Sequence, residues 1–502
     1  MKNLEEINQF GAVDADMDDI LLECFEDHAA YREICDFSKF LVIGRKGSGK
    51  TAIYRKLLKR QDHDTFAFGH NFTDYPWHLH QRLAVNSMPE HEKYIHSWKY
   101  LIYISLSKIL LNFDNSQPYS DDAQVNLEKV ERFVIDSYGT KDPDVVQIFG
   151  KSKKLRIHPT FKIECGPLKA GISLEKFPMD ELPTVFQEVN KNLQKCLING
   201  MNPDNKYFVC FDQLDLNFDP KDNEYSSRLI GLLLAARDIF TEAKQNNKKL
   251  SIVVFLRDDI YSHLQFEDKN KLTQNFMTEI KWDERDNSPT LKKLMENRFN
   301  KLLSDENAII WDDVFDESKD MSGHQSKYQH ILDRTFLRPR DIILFCNMVL
   351  KSFKNNKKID ATRIVNRFEN IDINTARNDY SNYLLNELDD ELHKHIVDYK
   401  IYLEIFKSIG YLQFNTSDFL TAYEKRKNLL PNQIQPIDIL KILFEFSIVG
   451  YYKVGGSGYG GSEWIYRYKD PRSQFDESST IYRVHLGLME ALGLKRYSKT
   501  TQ

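Results

Sequence analysis

Three short stretches of the chain are apolar at nearly every position: residues 40–43 (FLVI), 207–211 (YFVCF) and 252–256 (IVVFL). Unbroken apolar runs of this length predict strands buried on both faces, as in a parallel sheet covered by helices. Helical periodicity separates them, at 51–59, 182–197 and 227–244. The pattern predicts an α/β, doubly wound core. About 150 residues lie between the first of these helices and Tyr207, several times the roughly 30 that a βαβ unit needs. An insertion at about 80–180 is therefore expected, with a helix over 98–112 and a small hairpin over 154–175. Ahead of the core, the acidic stretch 14–25 predicts a helix with Ile20, Leu21 and Phe25 on its apolar face. Residues 288–353 read as helical throughout. From 399 onward the order changes. Helices at 399–409, 417–426 and 436–446 precede strands at 449–453, 464–468 and 481–485, with Gly455–Gly461 as a glycine-rich loop. Three helices followed by strands joined by such a loop is the plan of a winged helix.

Composition narrows the class. The 502 residues carry 69 Lys+Arg against 74 Asp+Glu, a net charge of −5. That balance excludes a chain whose whole surface coats nucleic acid, and leaves room for a local basic face. Residues 401–502 hold 13 Lys+Arg and 10 Asp+Glu, hence 13 − 10 = +3. Lys151, Lys153, Lys154 and Arg156 make the expected hairpin locally basic. The longest apolar helix candidate, 101–111, contains Lys108 and is too short to cross a bilayer. The N-terminus has no signal-peptide pattern, and the six cysteines are scattered with no C-x-x-C pair. A cytoplasmic protein with no membrane partner is expected. Asp14-x-Asp16-x-Asp18 opens like a calcium loop, but Asp19 and Phe25 stand where such a loop needs Gly and Glu. His78, His80, His91 and His96 lack companion ligands at metal spacing and read as surface or packing residues.

The chemistry concentrates after the first strand. Gly44-Arg45-Lys46-Gly47-Ser48-Gly49-Lys50-Thr51 matches G-x-x-x-x-G-K-[ST], with Ala52 continuing the helix. Such a loop wraps its N–H groups around phosphates, while Lys50 brings a point charge to the β- and γ-phosphates and Thr51 a hydroxyl to Mg2+. Asp212 ends the second strand, expected beside the first, where a carboxylate holds the same metal. Gln213 follows it, so the proton acceptor for an attacking water is assigned to Asp215, for which a helix N-cap is the alternative. Arg257 ends the third strand and can reach a γ-phosphate; its alternative is a salt bridge to Asp258 or another nearby acid. Pro339 and Arg340, in Arg338-Pro-Arg-Asp341, start an apolar helix from which an arginine can face a nucleotide. The alternative for Arg340 is a solvent-facing side chain.

Taken together, Phe10-Gly-Ala-Val-Asp-Ala-Asp16, the Gly44–Ala52 loop, Phe211-Asp-Gln-Leu-Asp215, Phe255-Leu-Arg-Asp-Asp259, Lys281-Trp282, Arg338-Pro-Arg-Asp341 and Tyr482-Arg-Val-His485 resemble the AAA-type and STAND-type P-loop ATPases. Within these, they resemble stand-alone bacterial members with an initiator-like layout. The resemblance implies a P-loop NTPase core over 1–285, a helical lid over 286–395 and a winged-helix domain over 396–502. It implies ATP and Mg2+ as cofactors, and Pro339 and Arg340 as nucleotide-sensing residues of the lid. No arginine occurs between Asp258 and Glu284, where ring-forming AAA enzymes keep an arginine finger, and Arg285 or Arg298 are the substitutes at hand. A homo-oligomer is expected, and a closed hexameric ring is not.

The expected function is a Mg-dependent ATPase switch that gates a protein or DNA partner, in phage defence or genome maintenance. The effector or sensor protein is expected to be encoded separately, and the winged helix to hold the nucleotide domain or a partner; the alternative is DNA contact, for which its helix offers Lys441 and its wing Lys453, Arg467 and Tyr459. Two alternatives stay open: a nucleotide-gated DNA-binding module with little turnover, and a scaffold that binds ATP without hydrolysing it.

Overall fold

The computed structural model describes the chain except residues 61, 74, 82–88, 90–91, 151–181, 217, 219–221, 283–289, 361, 394–398, 431–433, 456–460 and 497–502. The expected hairpin at 154–175 with its lysines, and also His91, Arg285 and Tyr459, lie outside the described residues. The chain divides into two compact units, Asp27–Lys281 and Met1–Glu26 with Trp282–Gln502. Among the described residues, no helix is long and apolar enough to cross a membrane.

The first unit is built on a five-stranded parallel sheet: β1 (Leu41–Ile43), β2 (Thr65–Asn71), β3 (Lys206–Asp212), β4 (Lys249–Leu256) and β5 (Met277–Glu279), in the order β2-β3-β4-β1-β5. After its first residue, every residue of β3 and of β4 is buried, as their unbroken apolar sequences require. The two sheet faces carry different partners. Phe208 and Phe255 meet Phe37 and Tyr54, the latter on helix Lys50–Leu58. Val209, Phe211, Ile252 and Val254 join an aromatic-rich core with helices Ile95–Lys108 and Asn223–Gln245. The expected helix over 98–112 is therefore present, starting at Ile95 and ending in a π-helical turn, Ile109–Phe113.

One expectation about the sheet fails. Asp212's strand is not beside the first strand, because β4 lies between them. The order matters for the site. From β1 the chain leaves toward β2 at one edge, and from β4 it leaves toward β5 on the other side of β1. The carboxyl ends of β1 and β4 thus flank the point where the winding reverses, which is where open α/β sheets form a crevice.

The second unit gathers residues 1–26, expected from the sequence to belong with the parallel sheet, onto helices of the C-terminal half. Phe10 packs against Phe299 and Phe368, its N–H donates to Asn347 Oδ1 (2.7 Å), and Asn347 Nδ2 returns a bond to the Gly11 carbonyl (2.9 Å). No α-helix forms over 14–25. A 3-10 turn, Ala15–Met17, is capped by the Asp14 side chain on the Asp16 N–H, the short-range competition that acidic residues offer to helices. Asp18 instead turns inward to Arg298, at 2.7 Å, and both side chains are almost wholly buried. Arg298, a candidate substitute for an arginine finger, is thereby a structural residue, also donating to the Phe10 carbonyl (2.9 Å).

The end of the chain forms helices Tyr399–Ile409, Thr416–Glu424 and Pro436–Glu445 and a four-stranded antiparallel sheet: β6 (Gln413–Asn415), β7 (Val449–Lys453), β8 (Glu463–Ile465) and β9 (Ile481–Val484), in the order β6-β9-β7-β8. β6 was not expected; three residues with Phe414 alone buried leave too short an alternation to detect.

Arg298→Met is expected to destabilise this unit by about 3–5 kcal/mol, because Asp18 would remain buried without its cation. Chemical denaturation should show much of the loss recovered in Asp18→Leu/Arg298→Met. Equal stability of the single variant and the wild type would remove the pair from the account.

Candidate functional site

The site is assembled at the carboxyl edge of the parallel sheet. Gly44 to Ser48 connect β1 to helix Lys50–Leu58, with Gly49 as its N-cap. Gly47 (φ 78°) and Gly49 (φ 108°) occupy the left-handed region, which only glycine enters at little cost. A Cβ on Gly44 would collide with Ser48 Oγ, so another residue there would require the Ser48 side chain to turn away. No side chain caps the helix, so its first N–H groups point from the positive end of the helix dipole into the loop. Arg45 and Lys46 are half-buried within the turn.

Lys50 folds back over this loop. Its Nζ donates to the carbonyls of Gly44 (2.7 Å) and Arg45 (2.9 Å). Desolvation pulls its ammonium below the ordinary lysine value, and Asp215 is the strongest charge acting the other way, with Asp212 and Asp258 adding to it and Arg257 opposing. Five groups at or just after the ends of β1, β3 and β4 therefore feel each other across the reversal point.

Asp212, the last residue of β3, is 3% exposed. Burial raises its carboxyl to about 6, although the Thr51 hydroxyl, the Gln213 N–H and the Lys50 charge all favour the ionised form. The Thr51 hydrogen bond ties the start of the loop helix to the end of a strand two positions away in the sheet. Its other oxygen, Oδ2, has no protein partner, which is rare for a buried carboxylate. Thr51 and Asp212 thus stand together, as expected from the sequence, although their strands are not neighbours.

Arg257 ends β4's extended stretch and is the N-cap of the short helix Asp258–His263. The salt-bridge alternative holds for it, with Asp259 in place of Asp258. Nε and Nη2 fork onto the two Asp259 oxygens at 2.9 and 2.6 Å, and Nη1 reaches Asp215 Oδ2 at 3.5 Å. Asp215 lies in the turn after β3 and caps no α-helix: its carbonyl accepts the Phe218 N–H (3.2 Å). Gln213 adopts φ 59°, and its Oε1 accepts from Thr73 Oγ1 at 2.8 Å, just beyond β2. Thr73 and Asp259 were missed in the sequence. Asp259 carried a signal, its place in Arg-Asp-Asp after an apolar strand; Thr73 carried none, because its role depends on which strand lies beside β3.

Pro339 opens helix Pro339–Ile359 in the other unit. Arg340 is not solvent-facing: its Nη1 is bonded to Glu387 Oε1 at 2.8 Å. Arg338 is buried and donates through Nε to Asp341 Oδ2, also at 2.8 Å. Of the histidines, His80 is a packing residue between Tyr75 Oη (3.0 Å) and Ser97 Oγ (2.8 Å), and burial lowers it to about 3. His78 is exposed and His96 half-buried.

Comparison with known proteins adds two findings. Residues 289–389 match the FunZ-associated C-terminal helical domain. This is the helical stretch that begins with Leu291–Leu303 and includes Pro339–Ile359. Over 421 residues, 80% of the chain, the sequence is 22% identical to a protein of Escherichia coli (strain K12) described as a putative transposon gamma-delta 80.3 kDa protein. The aligned region covers 54% of that relative, so the chain spans about half its length.

The Asp212 shift has a thermodynamic sign. Its folded value, about 6, lies above the ordinary 3.8. The native state therefore binds the proton more tightly than the unfolded chain, and the group costs stability as pH rises from about 4 through 6. At pH 7 the cost is at most about 3 kcal/mol. Without nucleotide or metal, Asp212→Asn is expected to melt above the wild type at pH 7, with the gap closing toward pH 4. A gap that stays constant with pH would contradict the buried carboxyl.

Proposed function

We propose that residues 27–281 form a P-loop core that binds ATP with Mg2+ and hydrolyses it, acting as a molecular switch on a partner. The reading is carried by one observation: Thr51 bonds a buried Asp212 whose second oxygen is unpartnered, beside a glycine loop that holds Lys50. A hydroxyl and a carboxylate oxygen are the hard donors that Mg2+ takes alongside phosphate oxygens. Bound there, Mg2+ would neutralise charge on the β- and γ-phosphates.

The chain's own residues have separable roles in this reading. The N–H groups from Gly44 to Ala52 cradle the phosphates, and Lys50 leaves the loop carbonyls for phosphate oxygens. Gln213, held by Thr73, orients a water. Asp215 takes that water's proton while its oxygen bonds to the terminal phosphorus and the bond to the β–γ bridging oxygen breaks, giving ADP and phosphate. Arg257 stabilises the charge that develops on the transferred group. The site so described rests on Asp27–Lys281 alone, and the Arg340–Glu387 pair belongs to the other unit.

For the end of the chain we propose a winged helix that meets a protein partner. Two of the cations that DNA contact would use are paired with acids: Lys441 with Glu477 (3.6 Å) and Arg467 with Glu445 (3.3 Å). Lys453 is exposed. DNA is kept as the second partner class because the Escherichia coli relative is described as a transposon protein.

Phosphate release with Mg2+ tests the reading. Wild type is expected to exceed Lys50→Ala and Asp215→Asn by about 10²-fold. If wild-type release equals that of Lys50→Ala with and without DNA, the chain is no ATPase. Stimulation by DNA with a steep salt dependence would move the partner from protein to DNA.

A further inference from the structure

Arg257 is held unequally at its two edges. The fork onto Asp259 is short and bidentate, the geometry in which a planar guanidinium and a carboxylate bind most strongly. The contact of Nη1 with Asp215, at 3.5 Å, is at the limit of hydrogen bonding. The backbone explains why the strong partner is Asp259. Arg257 is extended (φ −74°, ψ 145°), and the next residue starts a helix, so a carboxylate two positions on falls back onto the guanidinium. That carboxylate is itself held: burial works to raise its pKa, but Arg257's charge and hydrogen bonds and the Ile260 N–H keep it below the ordinary value.

Asp215 is placed between two cations. It is the leading charge that favours the ammonium of Lys50, and it bridges Nη1 of Arg257. Without a phosphate, Asp215 is thus the carboxylate that Lys50 and the Nη1 edge of Arg257 share, while Asp259 holds the other edge of Arg257. A terminal phosphate carries more charge and more acceptor oxygens than Asp215, and would compete with it for the same two groups.

We propose that Asp259 is a positioning residue that fixes Arg257 so that Nη1 remains the exchangeable edge, bridging Asp215 in the nucleotide-free chain and passing to the terminal phosphate of ATP. The proposal rests on the nucleotide reading above. Its consequence is regulatory: Asp215 is tied up until a third phosphate arrives, then freed to accept a proton. ADP, which lacks that phosphate, leaves the bridge in place.

The test compares ATP and ADP binding to the full chain by calorimetry, together with phosphate release, for wild type, Asp259→Asn and Asp259→Glu. Asp259→Asn is expected to keep ADP affinity within about twofold and to lose about 10–100-fold in both the ATP-over-ADP preference and kcat, as loss of charged hydrogen bonds dictates. Asp259→Glu, which retains the carboxylate, is expected to recover part of both. It also keeps the test open if the Asn variant does not fold. Unchanged ATP-over-ADP preference and kcat in Asp259→Asn, or an Asp259→Glu variant no better than Asp259→Asn, would overturn the positioning role while leaving the nucleotide reading intact. A wild type that binds neither nucleotide would overturn both.

Discussion

A buried carboxylate that is only half satisfied organises the parallel-sheet unit. Asp212 is taken out of water at the end of β3, which raises its carboxyl to about 6, and Thr51 returns one hydrogen bond. That bond fixes the loop helix against a strand two positions away. The loop's tightness then follows from its glycines, and Lys50, shielded from water by the same turn, is stabilised as a cation chiefly by Asp215. Lys50 after β1, Asp212 at the end of β3 with Asp215 just beyond it, and Arg257 after β4 act on one another across strands, while Arg257 is also held by Asp259 from its own turn, so the site is an electrostatic unit before any ligand enters it.

The sheet order makes that unit possible. Because β4 lies between β1 and β3, Arg257 emerges between the loop and Asp212, with Asp215 within its reach. Apolar strands buried on both faces supply a rigid frame for this edge, and hydrophobic packing dominates its stability. The charged edge itself need contribute nothing favourable to folding, since polar groups in such sites are often held against a cost.

Legibility in the sequence followed the range of the interaction. The Gly44–Ala52 loop was readable because its requirements are local, and β3 and β4 because unbroken apolar runs can hardly be anything else. The neighbour of β1 was misjudged because strand order is set by long-range packing. β5 and β6 are three residues long and leave no periodicity. The acidic stretch 14–25 reads as a helix by composition, but Asp14 caps a single turn and Asp18 is drawn to Arg298, a residue 280 positions away. Arg340's pairing with Glu387 spans two helices, and nothing in Arg338-Pro-Arg-Asp341 announces it.

The most direct measurement is calorimetric titration of ATP with Mg2+ into the full chain at pH 6, in two buffers with different heats of ionisation. If Asp212 takes the metal with the nucleotide, binding must expel the proton that its raised carboxyl still holds there. Net proton release is expected in the wild type and none in Asp212→Asn. Absence of binding, or binding with the same proton count in both proteins, would contradict it.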